Sequence, residues 1–381
     1  MLAAVAFVVV SVMTVTGPLL PLIAAEFGRT VGEAGIIVIA FAVPYGCCQI
    51  LFGPLGDRYG KLKVVAVSLA VGTLFVAGCG LSDSLPTLAA MRFACGVAMA
   101  ATIPLAMAWI ADEVPAEIRQ PVIGRYTNGL VLGQIAGGLL GGVAAEYFDW
   151  RQVFFFLALA CGLVALLLWR QARPADSGRA VVRRRWEDVL RLYYGLFAAR
   201  QPREIIIAGT LEGFLIFGVL AYLGAYLRHE LTLDYARIGV VLSGYGMGGM
   251  VFAAAVYRIV RVLGERRMVR VGSSLLGAAF IAFVLTRLWW LNMMILFCAG
   301  FGFYLLHNTM QMQATELSSE ARGTAVALWV FMLFLGQGVG VFVFGLVIDA
   351  FGYLPAFACS GLGLVLMGSW FSSRMVTHSV R

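Results

Sequence analysis

Charge is scarce in this chain. Asp, Glu, Lys and Arg supply 13% of its 381 residues, against 61% for hydrophobic residues. A soluble domain carries roughly 25% charge, so the composition excludes an ordinary soluble globule. Cysteine pairing is also missing. Cys47, Cys48, Cys79, Cys95, Cys161, Cys298 and Cys359 sit inside apolar runs, and none has CxxC spacing. They read as small buried hydrophobes with reduced thiols, not as a disulfide framework or a metal site. No basic segment precedes the opening run MLAAVAFVVV and no clean small-residue cleavage site follows it. That run therefore reads as a membrane helix rather than a signal peptide. There is no P-loop, so ATP drive is not expected. No nucleophile–base grouping points to an enzyme.

What the chain has instead is apolar length. About 20 apolar residues cross a bilayer, and a helix in lipid satisfies its own backbone polar groups. Hydropathy places spans near 2–23, 33–52, 64–81, 86–110, 121–145 and 152–170, then near 204–227, 236–257, 268–286, 289–312, 323–348 and 354–371. The expected fold class is an all-α membrane protein of twelve transmembrane helices in two pseudo-symmetric six-helix bundles. With both termini inside, 22 of the 28 Lys and Arg residues fall on the inner side and five on the outer side, with Arg92 inside a span. By the positive-inside rule both termini are cytoplasmic. The net charge of +8 then faces anionic lipid, and no nucleic-acid partner is needed.

The longest connector divides the chain into bundles at 1–170 and 204–381, joined by 171–203. Within RRRWEDVLRLYYGLFAAR, Trp186, Val189, Leu190, Tyr193, Tyr194 and Phe197 recur at helical spacings beside Arg183, Arg184, Arg185 and Arg191. This pattern predicts an amphipathic helix on the inner membrane surface; an ordinary solvated linker is the alternative.

The two halves repeat. At an offset of 203 residues, Gly133, Gln134, Gly137 and Gly142 meet Gly336, Gln337, Gly340 and Gly345, and Glu146 meets Asp349. Upstream, Glu117 and Arg119 meet Glu320 and Arg322. Six helices per half in parallel repeat is a two-bundle transporter architecture, with a central site exposed to each side in turn.

The connector GPLGDRYGKLK, residues 53–63, resembles the signature loop of the major facilitator superfamily. Gly53, Leu55, Gly56, Asp57, Arg58, Gly60 and Lys61 match it, while Leu62 takes a position the family keeps basic. The resemblance implies a conformational latch formed by Gly53, Gly56, Asp57, Arg58, Gly60 and Lys61 on the inner side. The counterpart from Tyr257 keeps Gly264 but has Arg261 in the Asp position, which implies an asymmetric latch. Gly124, Gly133, Gly137, Gly141 and Gly142 resemble the fifth-helix glycine pattern of the superfamily's antiporters, with Gly138 in place of its proline. Those glycines let a neighbouring helix approach closely, with or without a bearing on transport direction. MRFACG resembles the family's fourth-helix element, which implies a part for Arg92 in proton coupling; an arginine snorkelling to the outer headgroups is the alternative.

Few other ionisable groups lie within the spans. Glu212, in the seventh, is the lead candidate for a proton carrier, because a carboxyl in lipid is costly and usually functional. His307, in the tenth, is a second titratable candidate; an inner-surface polar cap would explain HNTMQMQ as well. Gln134, Gln337, Asn308, Gln311, Trp109, Phe214, Phe217 and Tyr304 are candidates for the substrate cavity, as Tyr222, Phe301 and Phe303 are by position in the resemblance. Each aromatic could equally serve packing, and the glutamines could join helices. A weakly charged aromatic cavity suits a small amphiphilic organic substrate. The expected function is proton-coupled export of such a compound by a monomer in a bacterial-type inner membrane. The proton gradient drives it, with no cofactor and no bound metal. Proton symport or uniport uptake of a metabolite, a non-transporting receptor or scaffold, and metal transport are the alternatives.

Overall fold

A computed structural model describes residues 1–172, 186–317 and 322–375. The basic residues Arg183, Arg184 and Arg185, and Glu320 of the repeat, lie outside the described residues. Helix 1 runs Leu2–Thr14 and Thr16–Glu26; helix 2, Val31–Ala34 and Ile36–Tyr59; helix 3, Lys61–Gly80. Helix 4 runs Leu85–Met99 and Thr102–Glu113; helix 5, Ala116–Tyr147; helix 6, Trp150–Gln171. A linker helix, Trp186–Ala198, precedes helix 7. Helix 7 is Arg200–Glu212, a π-helical turn Gly213–Phe217, then Gly218–Leu220 and Leu223–His229. Tyr235–Leu285 is helical except at Gly264, which separates helix 8 (235–263) from helix 9 (265–285). Helix 10 is Trp289–Thr315, helix 11 Arg322–Phe351 and helix 12 Tyr353–Arg374. Among the described residues, eleven stretches are long and apolar enough to span a membrane; the Gly264 break makes the longest of them two, giving twelve.

The connector at 53–63 is mostly not a loop. Helix 2 continues to Tyr59, and the whole reversal is made at Gly60, with φ 92° and ψ 124°. Gly264 makes the same kind of corner between helices 8 and 9, with φ 66° and ψ 164°. Gly53 and Gly56 do not break the helix, because an isolated glycine in a helix costs only about 1 kcal/mol relative to alanine. Gly56 leaves room for the Leu105 side chain of helix 4 instead. The positive φ at Gly60 is where a side chain would be strained, by about 1–2 kcal/mol. Gly60→Ala is therefore expected to lower the thermal unfolding midpoint of the purified protein; an unchanged midpoint would show that the corner relaxes freely.

Helices 3, 6 and 12 are among those with large exposed apolar side chains: Leu74 is 70% exposed, Phe156 65% and Leu366 71%. Apolar exposure on this scale suits lipid, not water. Inside, helix 5 packs against helices 1 and 8, helix 11 against helices 7 and 2, and helix 10 against helices 8 and 9. The linker helix rests on helices 7 and 11. Leu196 is buried there, while Tyr194 and Phe197 are exposed, so two faces are distinct along the described part.

Small residues set these approaches. Gly129, Gly133, Gly137 and Gly141 form a stripe against helix 1, meeting Ala3, Phe7, Ser11 with Thr14, and Val15 with Pro18. Ser11 Oγ donates to the Gly133 carbonyl at 3.1 Å. Gly142 instead meets Tyr235 and Gly239 of helix 8. Gly124 corrects the expected pattern: open space surrounds its missing Cβ, so it has no close helix neighbour to accommodate. Gly129, four residues before Gly133 and outside the expected motif, belongs to the stripe.

Candidate functional site

A buried titratable pair in the second half joins helix 7 to helix 10. Glu212 is fully buried, and its Oε1 lies 2.9 Å from His307 Nδ1. The His307 side chain keeps 22% of its surface exposed. Its ring stacks on Phe303 at 4.9 Å and 19°, and lies 5.7 Å from the Trp329 ring of helix 11. Glu212 Oε2, Trp329 Nε1 and the Tyr245 hydroxyl are buried without hydrogen-bond partners among the described residues. A proton between the two atoms can sit on either group. A second proton, or the loss of the one they share, leaves net charge in a low-dielectric interior, which costs several kcal/mol by order of magnitude.

Local sequence explains the placement. Glu212 ends an α-helical segment and the next five residues form a π-turn, a feature frequent at functional sites. Helices 7 and 11 cross here at backbone contact. Gly213 faces the Leu333 carbonyl and the Gln337 amide, Gly336 faces Thr210, and Gly340 faces Phe214 and Gly218. Gly209 leaves room for the Trp329 indole. The span expected near 204–227 thus carries its π-turn where it crosses helix 11. Gly213→Val would drive a branched side chain into fixed backbone. Overpacking costs about 1–3 kcal/mol even where side chains can yield, so the variant is expected to lose its monodisperse peak in size-exclusion chromatography.

The other candidates are not all assembled with this pair. Arg92 is 1% exposed and belongs wholly to the first half. Its Nη1 donates to Val12 O at 2.9 Å and its Nε to Ile37 O at 3.3 Å, with the guanidinium 4.4 Å from the Phe41 ring. It ties helix 4 to helices 1 and 2; it neither reaches headgroups nor touches Glu212. Trp109 packs with Ala106, Ile110 and Tyr126, also away from the pair. Phe214 packs on Phe344 at 5.2 Å, Phe217 on Phe303 at 5.6 Å, and Tyr304 on Phe252 at 6.0 Å. Gln134, Gln337 and Asn308 are half-buried, and Gln311 is exposed. Tyr222 donates to Val341 O at 2.7 Å. Among the described residues no three His, Cys, Asp or Glu side chains gather as metal ligands.

Two faces distinguish the halves' contacts. On the face that carries the linker helix, Lys61 bonds Asp57 at 3.1 Å and also Asp112 of helix 4. Arg58 lies over Tyr59 at 5.0 Å. These groups hold helices 2, 3 and 4 of one half together. In the second half Glu265 takes the corresponding place after Gly264 and accepts from Gln313 Nε2 of helix 10 at 2.8 Å. On the far face the halves bond each other. Asp349, ending helix 11, accepts from Thr30 Oγ1 at 2.6 Å and the Gly32 amide at 3.1 Å, at the start of helix 2. Glu146, ending helix 5, accepts from the Tyr235 amide at 2.8 Å, at the start of helix 8. The 203-residue offset relating Glu146 to Asp349 also relates Gly32 to Tyr235. These are one bond made twice, each placing a carboxylate on the positive end of a helix in the opposite half. Among the described residues, the side-chain hydrogen bonds between halves lie on this far face.

The sequence model of the Major Facilitator Superfamily matches residues 2–341. The chain belongs to the major facilitator superfamily. Like other members it is a transporter of small molecules, not an enzyme. It is 28% identical over 337 residues to the MFS-type transporter YceJ of Bacillus subtilis, covering 86% of this chain and 83% of that one. It is 27% identical over 236 residues to the cis,cis-muconate transport protein of Acinetobacter baylyi, covering 58% and 55%. A bacterial homolog of the human lysosomal transporter Spinster, solved inward-facing and unoccupied, superposes with a TM-score of 0.75 at 18% identity, covering 98% of this chain and 95% of that one. The major facilitator fold thus accounts for the two sets of six helices and the repeat between them.

Proposed function

We propose that this transporter exchanges protons for a small amphiphilic organic compound, exporting it across a bacterial-type inner membrane with the linker face cytoplasmic. The observation that carries the reading is the fully buried Glu212 bonded to His307 beside the π-turn of helix 7. The bundles 1–170 and 204–381 rock against each other within a monomer, and the proton gradient supplies the drive. In one state Glu212 and His307 hold an extra proton. Substrate arriving among Phe217, Phe303 and Trp329 displaces it toward the open face. Arg92 acts at a distance, by fixing helices 1, 2 and 4. The kinship with a muconate transport protein supports a second reading, uptake of a small metabolite by proton symport or uniport.

The deciding experiment adds a panel of amphiphilic compounds to purified protein in weakly buffered detergent and records proton release. Export by antiport requires a compound whose binding releases protons. Binding without release makes uniport the leading mechanism, and proton uptake on binding makes it symport.

A further inference from the structure

A cavity of about 350 Å³ opens on the far face, away from the Glu212–His307 pair. Its walls come from both halves. Pro21, Ala24, Ala25 and Val31 of the first half face Ile348 and Tyr353 of the second, and these make its apolar body. Its polar groups are Arg29, Thr30, His229 and Asp349. Asp349 is already engaged by Thr30 and Gly32. Glu33 Oε2 accepts from the Thr30 amide at 2.9 Å, and the Glu33 carboxylate approaches Arg29 only at 3.7 Å, with both side chains about half exposed. His229 Nδ1 lies 3.1 Å from the Tyr353 hydroxyl. The carboxylates are committed to the fold, then, while Arg29, with only a 3.7 Å approach to Glu33, has donor capacity left.

We propose that this cavity is a second binding site, selective for a compact apolar molecule bearing one carboxylate, and that its occupant holds the far face closed. The volume lies within the range of small-molecule sites. The apolar lining takes the body of the ligand. Arg29 takes its carboxylate, which replaces a loose, exposed ion pair with a charge-assisted bond. The site exists only while helix 1 and helix 2 stand against helices 11 and 12, because each half supplies part of the wall. A bound ligand therefore opposes the separation of Thr30 from Asp349 by mass action on the closed state. This inference is independent of proton coupling.

The test is calorimetric titration of the full-length protein with 4-phenylbutyrate, its neutral amide and 4-phenylbutylamine, which share one body and differ in charge. The wild type is expected to bind the carboxylate about tenfold more tightly than the amide, and the amine least. Arg29→Ala is expected to erase the preference for the carboxylate. Ala25→Trp, at an exposed position on the rim, is expected to weaken binding of all three by filling the cavity. No binding to the wild type at millimolar concentration overturns the proposal. Equal binding of the three compounds, or binding unaltered in both variants, overturns it as well.

Discussion

Proteoliposomes carrying Glu212→Gln are expected to lose compound-driven proton movement entirely while retaining compound exchange down its own gradient. Gln keeps the shape of Glu212 and a polar contact to His307 Nδ1, but it cannot lose or gain a proton. Proton flux should fall to the level of empty liposomes, with binding affinity changed by less than about tenfold. His307→Gln should behave differently. It leaves a fully buried carboxyl without its 2.9 Å partner, and stranding one member of a buried pair costs about 3–5 kcal/mol. This variant is therefore expected to be uncoupled, and its unfolding midpoint to drop. The double variant should regain stability over His307→Gln alone, since no charge is left to strand. A stability cycle whose single losses simply add would show that the two residues act independently. Undiminished proton release from Glu212→Gln would remove Glu212 from the mechanism.

Opening of the far face is the second large effect. Glu146→Gln with Asp349→Asn converts three charge-assisted hydrogen bonds to neutral ones. Each conversion costs roughly 1 kcal/mol, so together they remove roughly 3 kcal/mol, which is about a hundredfold in the balance between closed and open. Spin labels at Asp83 and Leu288, one on each half and both exposed on this face, should report a longer distance in the double variant. Either single variant should show an intermediate mixture, because the other bond still joins the halves. Since the two bonds are related by the internal repeat, the single variants should shift the equilibrium in the same direction. An unchanged distance in the double variant would mean that the glycine contacts of helix 5 with helix 8 and helix 2 with helix 11 suffice to hold the face shut.

Glu212 and His307 could each be chosen from sequence as rare titratable groups among apolar residues. Nothing in the sequence said that they touch, because they are 95 residues apart and no local pattern records a tertiary contact. Arg92 was legible as a buried charge, but its partners are backbone carbonyls, which have no sequence signature. The glycine stripe of helix 5 was legible by spacing except at its ends. Gly124 has the right spacing with no neighbour, and Gly129 has a neighbour outside the motif. The 53–63 segment gave its residues but not its shape, since helix continuation past Gly53 and Gly56 is decided by packing against helix 4.

By itself the sequence determined the class, the number of spans, the family and the repeat. Those follow from apolar length, from charge placed where it stays in water, and from a periodicity that survives in one chain. Tertiary structure alone decided which carboxylate meets which donor. Asp349 reaches Thr30 and Gly32 across more than three hundred residues, and Glu146 reaches Tyr235 across 89. Such bonds depend on how two bundles are set against each other, and that arrangement differs between the states of a transporter while the sequence stays the same.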